Sequence, residues 1–450
     1  MRILMTHRSL RWRGGSEMFV FETVLALKTR GHEVRVYAPD QGEIDKALRS
    51  FGIHVYGSME NLSWEPEIIH GHHHLQTMTA LARFPAVPAL YYCHGSRPWV
   101  EAPPLHRRIL RYVTMAPKMM EGAAARSHVP MERLSSISNS VDLSRFRTVR
   151  SPEQKPARAV IFGNSPFKEE EMAALENACA ESGLALDKIG LCYGTATHRP
   201  EHLLSRYDIA FAAGRSALEA MASGCAAIPV LPGLAGHLIT PENFAAYSQR
   251  NFCTPHYSPA SPVTQEWIQE QLSHYSAEAA SAVTQKVRSE YTLEQAVDRL
   301  VAVYGQVLEE ARTMHLCDPE ADLRDVTRYL EWATPEYDRL WSEFGYMNFA
   351  TVMATEQTVV ALKKAVNEMK KAVENTQADL AKELRKKEEL AAKVVEKNEK
   401  MEVLRGKQSA DRLRYKCAEA VLSSSLLGRF FLSKIRLMIE AVSTSDPSGE

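Results

Sequence analysis

The chain has 450 residues, 45% of them hydrophobic and 24% charged, with a formal net charge of -1. That is more than one ordinary core fills, so two or three globular domains are expected. The near-zero charge gives no global argument for nucleic acid, which is not expected as a partner, and any basic site must be local.

In chain order, Arg2 to Thr6 predicts a short buried strand and Gly14-Gly15 a loop. Ser16 to Arg30 has helical periodicity, with Phe19, Val20, Val24 and Leu27 on one face, and stops at Gly31. "HEVRVYAP" alternates and predicts a second strand. Strand, glycine loop, helix and strand form a βαβ unit, and hence a parallel sheet. "GIHVYG", "EIIHGH" and "ALYYCHG" add strands, and "LSSISNSVDLSRF" closes this half. "SPEQKPAR", Ser151 to Arg158, is a Pro-bearing linker, and "AVIFGNS" opens a second α/β half. "LALDKIGLCYG", "YDIAFAAG" and "AAIPVLPG" supply its further strands. The expected fold is α/β, with two doubly wound domains, 1–150 and 155–312, facing a ligand cleft at the carboxyl ends of their strands.

"LEQAVDRLVAVYGQVLEEA" predicts a long amphipathic helix ending the second domain. Residues 313–354 read as helical, with Tyr329, Trp332, Tyr337, Trp341 and Phe344 expected to pack back on the body. From Val359 the apolar residues Leu362, Val366, Met369 and Val373, then Thr376 and Leu380, recur at alternating steps of three and four. Leu384, Ala391, Val394, Asn398 and Met401 continue the stripe after a phase slip, and no Pro or Gly intervenes before Gly406. A stuttered coiled coil over 355–406 is expected, and with it self-association; the alternative is a single solvated helix. The tail, 407–450, mixes apolar residues with Arg and Lys. It reads as an amphipathic helix for an anionic membrane surface or for a protein partner.

Seven cysteines stand at 93, 179, 192, 225, 253, 317 and 417, odd in number and without a C-x-x-C pair. They fit a reducing cytosol rather than a disulfide framework or zinc ribbon. The N-terminal stretch is too short in its apolar part for a signal peptide, and no run reaches the roughly 20 apolar residues of a spanning helix. A cytoplasmic protein, peripheral on the membrane at most, is the expectation.

The stretch richest in chemistry is "AAGRSALEAMASGCAAIPV", Ala212 to Val230. Ser216 and Glu219 have capping-box spacing, Ser216 as N-cap and Glu219 at the third helical position. Gly214-Arg215 precede them at a strand's end, where the free amides of Ser216, Ala217 and Leu218 and the helix dipole favour an anion such as phosphate. A carboxylate one turn in does not suit that anion, but it suits a sugar hydroxyl beyond it. Phosphate on the amides and ribose on Glu219 is the chemistry of a nucleotide-diphosphate ligand.

With these residues in place, "YDIAFAAGRSALEAMASGCAAIPV" resembles the donor-binding segment of GT-B glycosyltransferases of family GT4. "GGSEMFVFETVLALKTRGHEVRVYAP" is similar to that family's first loop, helix and strand. "IIHGHHH", "YYCHGS", "SNSVDLSRF" and "LAGHLITPENF" fall where comparable segments lie, over roughly residues 1–310. The resemblance implies a retaining, metal-independent transferase. It would move a sugar from a UDP- or GDP-type nucleotide sugar, without a further cofactor, to a glycan, lipid-linked or protein acceptor, in bacterial surface glycan synthesis. It implies ribose binding by Glu219 and a backbone approach to the diphosphate at Gly14 and Gly15. It also implies contact of His94 with the transferred sugar, and diphosphate binding by Lys168.

Two departures stand out. The family's second Glu, eight positions before the ribose Glu and facing the sugar, is Phe211 here. Asn164 stands where the family has Arg, and Arg215 is a candidate replacement for that charge. Phe211 sustains an alternative reading, a degenerate nucleotide-binding scaffold whose coiled coil mediates assembly. A GT-B epimerase is a third reading, which the first loop and "GRSALEAMA" oppose. Three further features have bland readings beside functional ones. Glu17 is expected to pair with a helix dipole. His70, His72 and His74 alternate and suit zinc only if a strand carries all three to one face, so no metal is expected. "HRSLRWR", His7 to Arg13, is either a solvated loop or a basic surface near a membrane.

Overall fold

The computed structural model describes residues 1–95, 99–253 and 261–402, with the backbone alone given at 126, 344–363, 365–366 and 398–402. It divides into a body, Met1–Leu340, and a second unit beginning at Trp341.

The first half of the body alternates strand and helix, as the hydrophobic runs predict. Its strands are β1 (Arg2–Thr6), β2 (Ser9–Leu10), β3 (Glu33–Tyr37), β4 (Asp40–Gln41), β5 (His54–Tyr56), β6 (Ile68–Gly71), β7 (Ala89–Cys93), β8 (Ile109–Thr114) and β9 (Leu134–Ser136). Its helices are α1 (Gly15–Thr29), α2 (Glu43–Ser50), α3 (His74–Arg83) and α4 (Pro117–Ser127). Seven strands form one sheet of order β5-β3-β1-β6-β7-β8-β9, parallel throughout. β7 is buried along its whole length, as expected of a parallel strand covered on both faces.

The second half holds β10 (Arg158–Phe162), β11 (Ala185–Ile189), β12 (Ile209–Phe211) and β13 (Ala226–Ile228), also all parallel, in the order β11-β10-β12-β13. A small antiparallel pair, β14 (Val230–Leu231) with β15 (Leu234–Ala235), follows. Helices α5 (Glu169–Glu181), α6 (Arg215–Ala222), α7 (Phe244–Ser248), α8 (Gln265–Ser273) and α9 (Ala277–Glu290) complete it. Two Rossmann-like domains facing a cleft are the GT-B arrangement that the sequence leads one to expect.

The strand orders place the cleft. In the first sheet the order reverses between β1 and β6, and in the second between β10 and β12. Ligands of open α/β sheets bind outside the carboxyl ends of strands at such switch points. The loops there are those after Thr6 and Gly71 on one side, and after Phe162 and Phe211 on the other.

The domain boundaries expected at 150 and 312 are displaced. Val141 and Phe146 already lie in the core of the second domain, beside Ala217, Leu218 and Val287. The helix expected to end the second domain, α10 (Leu293–Arg312), buries its apolar face in the core of the first. Leu293, Val297, Leu300, Tyr304 and Val307 pack there with Val20, Val24, Leu90 and Leu110. Each such large apolar side chain contributes about 1.5–3 kcal/mol on burial, which fixes the helix to that sheet rather than to the domain before it in sequence. The chain therefore crosses between domains at two adjacent points. Val141 N–H donates to Tyr291 O, and Leu293 N–H donates to Val141 O.

The last helix, α11, runs from Pro319 to Glu402 with Pro335 inside it. Its first part is fastened to the first domain: Tyr329 and Ala333 are buried there, and Asp322 pairs with both Arg107 and Arg108. Of the aromatics expected to pack back, Tyr329 does and Trp332 lies beside it, whereas Tyr337 is exposed.

In the second unit the helix is uninterrupted to Glu402. Met369, Val373, Leu380, Leu384 and Val394 of the apolar stripe are exposed, as are Leu390 and Val395 beside it. Thr376 bonds back to Ala372 O at 2.7 Å. Gly406 and the tail 407–450 lie outside the described residues. Among the described residues no helix is long and apolar enough to cross a membrane.

Candidate functional site

The two switch points open onto one cavity of about 910 Å³, counting its mouth. The first domain contributes Trp12, Arg13, Gly14, Gly15, Met18 and Glu43. The second contributes Phe162, Gly163, Asn164, Gly190 and Leu191, and the start of α6 with Arg215, Ser216 and Glu219. Arg145, just past the first crossing, also lines it.

Helix α6 starts differently from the expectation. Its N-cap is Gly214, at φ 62°, and no side chain caps it. That left-handed backbone suits a residue without Cβ and turns the chain from β12 into the helix two residues earlier than a Ser216 cap would. Ser216 is thus the second helical residue and Glu219 the fifth, in the second turn, so the capping box is not formed. Leu218 N–H donates to Gly214 O, which removes it from the set of free amides. The amides of Arg215, Ser216 and Ala217 have no intrahelical acceptor.

Glu219 is instead buried and bonded to the residue one turn before it, with Arg215 Nε donating to Oε1 at 2.8 Å. Burial pushes its carboxyl above the ordinary range, against the pull of Arg215 and Arg145 and with the push of Glu22. Arg215 also donates from Nη2 to both oxygens of Glu22, each at 2.6 Å. Glu22 is buried on α1, so this pair joins the two domains. Arg145 donates from Nη1 to Glu22 Oε1 at 2.6 Å and from Nη2 to Glu201 Oε2 at 2.9 Å. Two guanidiniums and three carboxylates thus form one chain of charge-assisted bonds along the cavity wall.

Glu22, Arg145 and Glu201 were not singled out from the sequence. A signal existed for the first: Glu22 is the lone carboxylate inside the apolar run "FVFETVLAL". Nearer the mouth, Arg13 Nε and His198 Nδ1 both reach Glu43 Oε1, at 2.5 and 3.0 Å, and Trp12 is exposed beside them. The basic look of "HRSLRWR" is therefore largely neutralised: Arg11 pairs with Asp40 and Arg13 with Glu43.

Gly14 and Gly15 do face the cavity. Gly14 has φ -83°, which any residue adopts, and a Cβ there would meet the carboxylate of Glu17. Glu17 stands in the first turn of α1. Asn164 lines the cavity and accepts from Leu191 N–H at 2.9 Å, tying together the loops after β10 and β11. Those loops touch backbone to backbone: a Cβ on Gly190 would lie 1.9 Å from Gly163 O.

Of the expected site residues, Lys168, Gly214, Ala217, Leu218 and His94 are not in the cavity wall. Lys168 is the exposed N-cap of α5 and is absent from the cavity wall, because "NSPF" carries the chain away before the helix begins. Phe211 is the last residue of β12, 1% exposed, in the core beside Ile161 and Ile228. An apolar ring there completes the core and does not face a ligand.

His94 follows β7 and stacks on His72 at 4.7 Å, with 2.7 Å between His94 Nε2 and His72 Nδ1. Its backbone N–H donates to the buried Glu101 at 3.1 Å. Burial pushes the imidazole down to about 4; Glu101 opposes this, and the charges of His73 and Arg215 reinforce it. His94 is thus neutral at pH 7 and within electrostatic reach of Arg215. It lies behind the main cavity rather than in its wall.

The other histidines take separate roles. β6 ends at Gly71, so the alternation of His70, His72 and His74 does not continue along one strand face. His70 Nδ1 meets Tyr304 OH at 2.6 Å, and His74 Nδ1 meets Tyr329 OH at 2.7 Å. Among the described residues no three His, Cys, Asp or Glu groups are placed to hold a metal ion.

Residues 13–145 match the family model described as Glycosyltransferase Family 4. No curated protein matches the sequence. Among solved structures, a glycosyltransferase from Rickettsia africae is similar at 14% identity and TM-score 0.48, covering 68% of this chain and 98% of its own. Anabaena HepE in complex with UDP-glucose is similar at 15% identity and TM-score 0.47, covering 68% and 100%. A putative UDP-N-acetylglucosamine 2-epimerase from Listeria monocytogenes is similar at 12% identity and TM-score 0.43, covering 69% and 97%.

Proposed function

We propose that this chain, whose residues 13–145 match Glycosyltransferase Family 4, transfers a sugar from a nucleotide-diphosphate sugar to an acceptor. The observation that carries the reading is the start of α6. There free amides, Arg215 and the buried Glu219 meet at one switch point, across from Gly14 and Gly15 at the other.

A fold alone hosts many reactions, so the activity rests on the site. The diphosphate would lie on the amides of Arg215 to Ala217, with Arg145 and Arg215 beside it. These groups stabilise negative charge as it builds on the departing phosphate. Glu219 keeps Oε1 on Arg215 and takes a ribose hydroxyl on its other oxygen. The base would enter between Asn164 and Leu191, where the glycine-to-glycine contact fixes the wall. By the resemblance, the transferred sugar would extend past the cavity wall toward His94, which is neutral and held by His72. The acceptor would enter by the exposed Trp12. Retention of configuration, independence of a divalent ion, a UDP- or GDP-type donor and a role in surface glycan synthesis are the finer parts of the proposal. They follow from the resemblance. Self-association through the exposed stripe of α11 and a peripheral membrane contact belong with them.

The test is turnover. The full chain, screened with UDP- and GDP-sugars and simple glycan acceptors, should release nucleotide from one donor, and Glu219→Ala should abolish that release. One observation favours the scaffold reading: Arg145 and Arg215 already hold carboxylates. Donor binding without turnover, across donors and acceptors, would establish it.

A further inference from the structure

The feature that the proposed function leaves unexplained is Glu22. It is 3% exposed, it is the lone carboxylate in the run "FVFETVLAL" of α1, and it belongs to the domain opposite its partners. Its Oε1 accepts from both Arg145 and Arg215, and its Oε2 accepts from Arg215 again. One carboxylate thus joins the two guanidiniums that line the cavity beside the free amides of α6.

Charge makes this arrangement unstable toward a stronger anion. Among the described residues the three carboxylates Glu22, Glu201 and Glu219 pair with two guanidiniums, Arg145 and Arg215, so the cluster carries more negative than positive charge. The strain shows at Glu219, whose carboxyl is raised by burial and further by Glu22. A diphosphate entering with Glu22 in place would add charge to a site already carrying too much. A diphosphate replacing Glu22 presents more oxygens and more charge to the same pair of forks.

Resting on the nucleotide-sugar reading, we infer that Glu22 is a built-in stand-in for the donor's diphosphate. It holds Arg145 and Arg215 poised while the site is empty, and it must leave them when the donor arrives. Since Glu22 is on α1 and Arg215 on α6, donor binding then exchanges an interdomain ion pair for a ligand bond. The two adjacent crossings at Val141 and Thr292 are where the domains can adjust.

The experiment is calorimetric titration of the full-length chain with inorganic pyrophosphate and, separately, with UDP. Removing the competing charge in Glu22→Gln should lower the Kd for pyrophosphate about tenfold, and Glu22→Asp, too short to bridge both guanidiniums, should lower it by a smaller factor. An unchanged or raised Kd in whichever of these variants folds overturns the inference, since Glu22 would then be a support for the arginines and not their competitor. The nucleotide-sugar reading fails separately. It is lost if UDP binds no tighter than pyrophosphate and Glu219→Gln leaves UDP binding unchanged, while the pyrophosphate comparison still decides Glu22.

Discussion

His94 Nε2 and His72 Nδ1 lie 2.7 Å apart in stacked rings, so one must donate to the other and the pair fixes a tautomer. His72 is fully buried and His94 is at the cleft end of its strand, which makes His72 a positioning residue for His94. We expect His94→Ala to lower turnover by up to about tenfold, the scale of one lost neutral hydrogen bond. His72→Ala should lower kcat while leaving the donor Kd within about twofold. A change in Kd with kcat intact would contradict the assignment.

The buried histidines set an acid limit on stability. Burial lowers His70 to about 3 and His74 and His94 to about 4, and holds His7 and His72 well below 6.5. Between pH 6.5 and about 4 the unfolded chain binds protons that the folded one refuses, so stability falls as pH falls through that window. Each such group contributes on the order of 1.4 kcal/mol per pH unit. Urea midpoints should be flat from pH 7 to 8 and drop steeply between 6.5 and 5. A flat profile down to 5 would contradict the burial.

Gly190→Ala puts a methyl group 1.9 Å from a backbone oxygen that cannot swing away. The second domain should lose about 1–3 kcal/mol, the range for overpacking, and donor affinity should fall with it. Thermal unfolding and donor titration of one preparation check both. Gly183→Ala, where a Cβ meets open space but φ is +73°, should cost only the backbone strain and spare donor affinity.

The exposed stripe on α11 predicts association. Met369, Val373, Leu380 and Leu384 fall at coiled-coil spacing among charged residues. Light scattering should give a mass of two chains or more, and Leu380→Lys with Leu384→Lys should give the monomer. A monomeric parent chain would contradict it.

Much of this was legible in the sequence because periodicity and strand order are local. The βαβ runs from Arg2 and from Arg158 lie where their patterns place them, and Gly14 and Gly15 line the cavity although Gly15 already opens α1. What was not legible depends on contacts far apart in the chain. The destination of α10 is set by packing against β7 and β8, and its amphipathic pattern says only that it packs somewhere. The partners of Arg215 include a residue 193 positions away. The capping box failed for a local reason: Ser-x-x-Glu spacing is blind to a positive-φ glycine that starts the helix sooner. Phe211 looked like a lost ligand because alignment by spacing does not say which face of a strand a residue takes.

The most direct measurement is the affinity of the full-length chain for UDP and GDP, and for their sugars, before and after Glu219→Gln. The variant removes one charge and no volume. If Glu219 holds the ribose, the nucleotide that binds the parent chain should lose about 10–100-fold in affinity, equivalent to about 1.5–3 kcal/mol for a hydrogen bond to a charged group, and inorganic pyrophosphate should lose none. Equal nucleotide affinity in the two proteins would contradict the account.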